Sequence, residues 1–187
     1  MDMPPPGEVI LTYDDYLRLP DDGRRYEILE GVLEVTPSPT TVHQRVVRNL
    51  FSALHVHVEK HGLGEVFFAP LDVVLSPFSV TQPDLLYVSS ARSEILTEAH
   101  VAGAPDLVVE VVSPNTSSLD RVTKAQVYAR YGIPHYWVVD PAAKTVEEFR
   151  LQRGIYLLVR RWEGRGMFTP ALFPGLEMAL TAVFAGA

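Results

Sequence analysis

Pro105-Asp-Leu-Val-Val-Glu-Val-Val112 is a nearly continuous apolar run, rich in valine and interrupted inside by one carboxylate. Its length and β-branched content predict a strand buried on both faces of a sheet. Ser113-Pro114-Asn115 breaks the run, and Ser117 to Tyr131 then reads as a helix ended by Gly132 and Pro134. His135 to Val139 is a second buried strand, turned by Asp140-Pro141.

Upstream, Thr12-Tyr-Asp-Asp15 has the form of a capping box, opening a short helix that Pro20 stops. Arg25 to Leu29 and Val32 to Val35 flank Glu30-Gly31 as a β-hairpin. From Thr40 to Lys60, apolar residues recur at spacings of three and four, predicting a long amphipathic helix closed by Gly62. Glu65 to Ala69, Leu71 to Leu75 and Asp84 to Val88 are short strand candidates, and Arg92 to Glu98 a helical turn. Downstream, Val146 to Leu151 and Tyr156 to Arg161 form a hairpin around Arg153-Gly154, and an apolar segment runs from Leu176 to Phe184. The order predicts a mixed sheet with helices packed on it: a flexible segment over 1–11, then one α/β domain over 12–187.

Glu110 is the informative exception in the central run. It shares a strand face with Val108 and Val112. An ionised carboxylate there costs several kcal/mol unless it is paired or bound to metal. Either it meets an arginine or water at a strand end, or it serves a metal site. Lys124 is out of place in the same way. At roughly 100° per residue it falls between Val127 and Tyr131 on one side and Tyr128 on the other, within the stripe that faces the sheet. Such a lysine snorkels to the edge or meets a carboxylate, and its helix follows directly on the Glu110 strand. Asp84, after Gln82-Pro83, enters a strand, although Pro-Asp is also ordinary turn chemistry. Glu27 in Tyr26-Glu-Ile-Leu29 and Asp72 in Leu71-Asp-Val-Val74, each taken singly, read as solvated strand residues.

The remaining composition excludes more than it assigns. There is no cysteine, hence no disulfide, thiolate nucleophile or cysteine-based zinc site. His55, His57 and His61 lack the His-Glu-x-x-His order of a zinc protease and read as solvated helix residues, while His43 is placed to approach a substrate phosphate. No G-x-S-x-G, P-loop or G-x-G-x-x-G is present. No apolar run nears the ~18 residues that span a bilayer, and Met1 to Pro6 lacks the basic and apolar regions of a signal peptide. A cytoplasmic protein is expected, with no membrane partner. The net charge of −7 argues against strong non-specific binding of nucleic acid, which a basic face would favour.

At these residues the sequence resembles the PD-(D/E)XK nuclease superfamily and, more narrowly, the Uma family of putative restriction endonucleases. The resemblance rests on Tyr26-Glu-Ile-Leu-Glu-Gly31, Thr40-Thr-Val-His43, and Gln82-Pro-Asp84-Leu-Leu-Tyr-Val. It is strongest over Pro105 to Pro114, Asp120, Lys124, Tyr128 and Gly132-Ile-Pro-His-Tyr-Trp-Val-Val-Asp-Pro141, and Phe173-Pro-Gly-Leu-Glu177 adds to it. The superfamily's usual lysine, two residues after the glutamate, is replaced here by Val112; in the Uma group the following helix carries it, where Lys124 stands.

The resemblance implies a restriction-endonuclease-like mixed central sheet flanked by helices and a metal-dependent endonuclease acting on DNA. Asp84, Glu110 and the Val111 carbonyl would hold one Mg²⁺ or Mn²⁺. Lys124 would orient the attacking water or stabilise the transition state, and Glu27 would add a ligand or a water-mediated contact. A double-strand cut implies a homodimer, with the apolar C-terminal segment as one interface. The alternative is a nuclease-fold protein that binds nucleic acid or regulates without cleaving it.

Overall fold

The computed structural model describes residues 9–113 and 119–187. Most of the segment expected to be flexible, the break at Pro114-Asn115 and the helix start at Ser117 lie outside the described residues. In chain order the elements are α1 (Tyr13–Tyr16), β1 (Arg25–Leu29), β2 (Val32–Thr36), α2 (Thr41–His61), β3 (Gly64–Phe68), β4 (Val73–Ser76), β5 (Ser79–Thr81) and β6 (Leu85–Ser89). A 3-10 turn over Ser90–Ile95 leads to β7 (Val101–Ala102) and β8 (Leu107–Val111). A π-helical turn over Leu119–Lys124 runs into α3 (Ala125–Arg130), then β9 (His135–Asp140), β10 (Thr145–Gln152), β11 (Ile155–Glu163), β12 (Met167–Phe168), β13 (Met178–Ala179) and α4 (Leu180–Val183).

Local chemistry explains the ends of these elements. Thr12 and Asp15 form the reciprocal capping box of α1. Glu30 and Gly31 both take positive φ, 54° and 86°, as a tight hairpin turn between β1 and β2 requires. Thr40 caps α2 by accepting from the His43 N–H, and Gly62 ends it in the left-handed region.

The expected mixed sheet is present with six strands in the order β11-β10-β9-β8-β6-β3. Only β8 and β9 are parallel within it, and Glu110 pairs in register with Val138. A second sheet, β2-β1-β5-β4-β7, was not anticipated. Its short members offer too few alternating residues to register: β5 carries one apolar side chain, Val80, between Ser79 and Thr81.

The alternation along β8 divides the core. Leu107, Val109 and Val111 face a cluster with Val46, Leu50 and Leu54 of α2. Val108 and Val112 face the other way, toward Tyr128 of α3 and Val73 and Val101 of the second sheet. Glu110 points to that second side by parity. The first cluster also takes in Leu176, Met178, Leu180, Val183 and Phe184. The C-terminal segment is therefore core, packed on α2, and not a free interface. His57 also departs from expectation: only 8% exposed, it sits between His61 and Phe173.

Candidate active site

Asp84 immediately precedes β6, whose Leu85 pairs with Val109. That register brings the Asp84 carboxylate to the end of β8, where Oδ2 accepts from the Val111 N–H at 2.8 Å. A residue's N–H and C=O point to the same side of a strand, so Val111 presents its carbonyl on the Asp84 side. The same Oδ2 lies 2.9 Å from His43 Nε2, and Arg25 reaches Oδ1 at 3.4 Å. Because a carboxylate only accepts, His43 Nε2 carries the hydrogen in that contact.

Lys124 stands where the π-helical turn meets α3, 2% exposed. Its ammonium is 2.9 Å from Glu27, 3.1 Å from Glu110 and 3.7 Å from Asp120. Tyr128 donates to the same Glu110 oxygen at 2.6 Å. Glu110 thus meets a lysine and a phenol rather than an arginine, and Lys124 does not snorkel to solvent. Glu27 is wholly buried, with Oε1 accepting from the Gln82 N–H and Oε2 from Thr36 and Lys124.

Four carboxylates, Glu27, Asp84, Glu110 and Asp120, therefore share a buried cluster with two permanent cations, Arg25 and Lys124. The imbalance shifts the ionisation of these groups. Burial, with the charges of Asp120, Asp84 and Glu27, pushes Glu110 up to about 8 although Lys124 pulls against it. Burial would raise Asp84 too, but the His43 contact, the Arg25 charge and the Val111 N–H hold it below the usual carboxylate value. Burial would lower Lys124, yet Glu110, Glu27 and Asp120 outweigh it and hold the ammonium above its ordinary range.

A cavity of about 160 Å³ opens onto the cluster, lined by Arg25, His43, Asp84, Glu110, Asp120 and Lys124 under the Thr36–Thr40 segment. Val111 lines it as well, whereas Glu27 lies behind Lys124 and does not. Of the residues singled out in the sequence, Asp84, Glu110, Val111 and Lys124 thus meet at one cavity. Arg25 was missed. Its only sequence signal is a position two residues before Glu27, on the same strand face. Among the described residues no three His, Cys, Asp or Glu side chains group as a metal-ligand set. No helix of the described residues is long and apolar enough to cross a membrane.

The family model named Uma2, described as "Putative restriction endonuclease", matches residues 13–181. No curated protein matches the chain. A crystal structure described as a putative nuclease belonging to DUF820, from Anabaena variabilis, superposes with a TM-score of 0.76 at 21% identity, covering 94% of this chain and 98% of that one. At that identity the likeness speaks for the fold.

Proposed function

The chain belongs to the Uma2 family, and from that membership and the site we propose that it is a metal-dependent endonuclease hydrolysing phosphodiester bonds in DNA. One observation carries the proposal: Asp84, Glu110 and Lys124, from three separate segments of the chain, converge on one cavity although burying them together is costly.

The donor set fits Mg²⁺ or Mn²⁺. Asp84 and Glu110 offer hard oxygens to one cavity, and Val111 adds a carbonyl on the same side. Mg²⁺ takes few protein ligands and keeps several waters, so two carboxylates and a carbonyl suffice. With all four carboxylates ionised, Glu110 having given up its proton to ion binding, the cluster carries −2 against Arg25 and Lys124, which matches a divalent cation. When bound, the ion supplies charge for the phosphate and lowers the pKa of a water.

The chain's own groups supply the rest. Lys124, fixed by Glu27, Glu110 and Asp120, presents one oriented positive charge to the attacking water or the phosphate oxygens without reorganising. Glu27 acts as a positioning residue, because both its oxygens are spent on the Gln82 N–H, Thr36 and Lys124. Tyr128 and Lys124 both hold one oxygen of Glu110, which fixes the orientation of the carboxylate. Arg25 and His43 orient Asp84.

The binding-only alternative draws on the net charge of −7 and on carboxylates already paired within the protein. One experiment separates the two. Purified protein and its Lys124→Ala variant are incubated with supercoiled DNA, linear DNA and single-stranded RNA, each with Mg²⁺, Mn²⁺ or EDTA. Cleavage that needs metal and vanishes in the variant supports the nuclease and identifies its polymer. No cleavage by folded protein favours binding alone, and cleavage by Lys124→Ala at the wild-type rate removes Lys124 from the mechanism.

A further inference from the structure

β5 ends at Thr81, and the chain passes through Gln82 and Pro83 before Asp84. Gln82 lies outside the strand, and Pro83 has no N–H with which to continue a ladder. The pairing of Ile28 with Val80, continued two residues, would set Gln82 opposite Tyr26 of β1. The side chains on either side of Tyr26 meet it instead. The Gln82 N–H donates to Glu27 Oε1 at 2.7 Å, and the Gln82 carbonyl accepts from Arg25 at 2.6 Å. Glu27 in turn holds the Lys124 ammonium at 2.9 Å, and Arg25 reaches Asp84 at 3.4 Å. The main chain of one residue thus stands behind both Lys124 and Asp84.

That main chain is tethered through its own side chain. The pairing of Val73 with Thr81, continued one residue, sets Gln82 opposite Asp72. Gln82 Nε2 donates to Asp72 Oδ1 at 2.8 Å and to the Tyr16 hydroxyl oxygen at 3.0 Å, while Tyr16 donates to the same Asp72 oxygen at 2.7 Å. Asp72 is therefore half-buried and paired, not solvated as its local sequence suggests. None of these three side chains lines the catalytic cavity. Ordering them costs side-chain entropy and desolvation, and the proposed hydrolysis uses none of them directly.

We infer that Gln82 is a positioning residue, locked by Asp72 and Tyr16, whose N–H and carbonyl set Glu27 and Arg25 and through them Lys124 and Asp84. The proline that follows confines Gln82 to extended backbone, where the N–H and C=O of one residue point to the same side. The side-chain tether then fixes where that side faces. What Lys124 and Asp84 do in catalysis rests on the nuclease reading; the placement of Lys124 by Gln82 does not.

The test follows the Lys124 ammonium by proton–nitrogen NMR of the isotope-labelled full chain, in EDTA and without nucleic acid. Lys60 and Lys144 are exposed, so their ammonium protons exchange with water too fast to be seen at neutral pH, whereas Lys124 is 2% exposed. Gln82→Met keeps the length of the side chain and removes its amide. We expect the Lys124 protons to exchange about tenfold faster in it, the factor for loosening one charge-assisted hydrogen bond. Asp72→Ala should do the same alone and add nothing in the Gln82→Met background, because it acts only through Gln82. Tyr16→Phe, which loses one hydroxyl at a half-buried position, should give a smaller rise and keeps the test open if the other variants do not fold. Tyr87→Phe removes a hydroxyl bonded to the Leu63 carbonyl in the other core cluster; it controls for lost stability alone and should leave Lys124 unchanged. No resolved Lys124 signal in the wild type, unchanged exchange in folded Gln82→Met or Tyr16→Phe, additive effects of Asp72→Ala and Gln82→Met, or equal acceleration in Tyr87→Phe overturns the assignment. With neither metal nor DNA present, the readout is independent of cleavage. Gln82-dependent Lys124 exchange in a protein that cuts nothing removes the nuclease reading and leaves the placement, and cleavage with Lys124 unmoved in Gln82→Met does the reverse.

Discussion

Replacing Lys124 with methionine keeps the length and apolar volume of the side chain and removes its charge. Three carboxylates then remain around it, at 2.9, 3.1 and 3.7 Å in the wild type, with the ammonium 2% exposed. Breaking a buried ion pair from one side costs about 3–5 kcal/mol, because the surviving charge has lost its partner. Against a total stability of about 5–15 kcal/mol, Lys124→Met should still fold. At about 2–4 °C per kcal/mol for a domain of this size, its melting temperature should fall by about 6–20 °C. The sign of the pH dependence is also set. Glu110 is already pushed up to about 8 with Lys124 present, and without the ammonium it rises further above its unfolded value. Its contribution is then complete below the unfolded carboxylate range, about pH 4, and is lost as pH climbs through the folded value. The deficit of the variant should therefore be small in acid and grow toward pH 8, and Mg²⁺, drawn more strongly to a cluster that has lost its ammonium and so stabilising the variant more than the wild type, should shrink it. Thermal melts of both proteins from acid to mildly alkaline pH, with EDTA and with Mg²⁺, measure this. A deficit below about 1 kcal/mol that does not change with pH would mean that Lys124 is not the counter-charge of the cluster, and the argument for its catalytic placement would fail.

Asp84→Asn and Glu110→Gln should each fold and lose Mg²⁺ affinity by titration calorimetry; unchanged affinity in both would remove the metal site. Because Glu110 is pushed up to about 8, Mg²⁺ binding at neutral pH should release a proton and tighten as pH rises toward that value. Calorimetry in buffers of different ionisation enthalpy reads the release directly, and its absence would contradict the raised Glu110. Tyr128→Phe deletes a 2.6 Å bond donated to a buried carboxylate, at a cost of about 1.5–3 kcal/mol. It should lower the urea midpoint without altering the slope, whereas an unchanged midpoint would show that the phenol is dispensable.

The residues legible in the sequence were those that contradict their local pattern. Glu110 interrupts a valine strand and Lys124 interrupts the inward stripe of a helix, so each announced an energetic problem that only a partner could solve. The hairpin around Glu30-Gly31, the capping box of α1 and the long α2 were legible because their signals are local. Arg25 and His43 carry no such contradiction: an arginine opening a hairpin and a histidine in a first helical turn are ordinary. Their contacts with Asp84 depend on tertiary packing, which local periodicity does not encode. β5 and β7 were illegible for a simpler reason, since segments of three and two residues hold less than two periods of alternation.

The second sheet is what turns these separate anomalies into a site. β1 carries Arg25 and Glu27 on one face by its two-residue period, and the contacts of that face run to Asp84 and Lys124. An apolar face is the usual solution where a sheet covers another element; here the face is charged where it meets the open end of β8. The π-helical turn belongs to the same solution. In that turn Asp120 and Lys124 both stay on the buried side. An ordinary helical wheel also places Asp120 and Lys124, four residues apart, on one face. Local rules fail together at the sheet end, the π-helical turn and the charged face of β1, which is the behaviour expected where a fold gives up stability for chemistry.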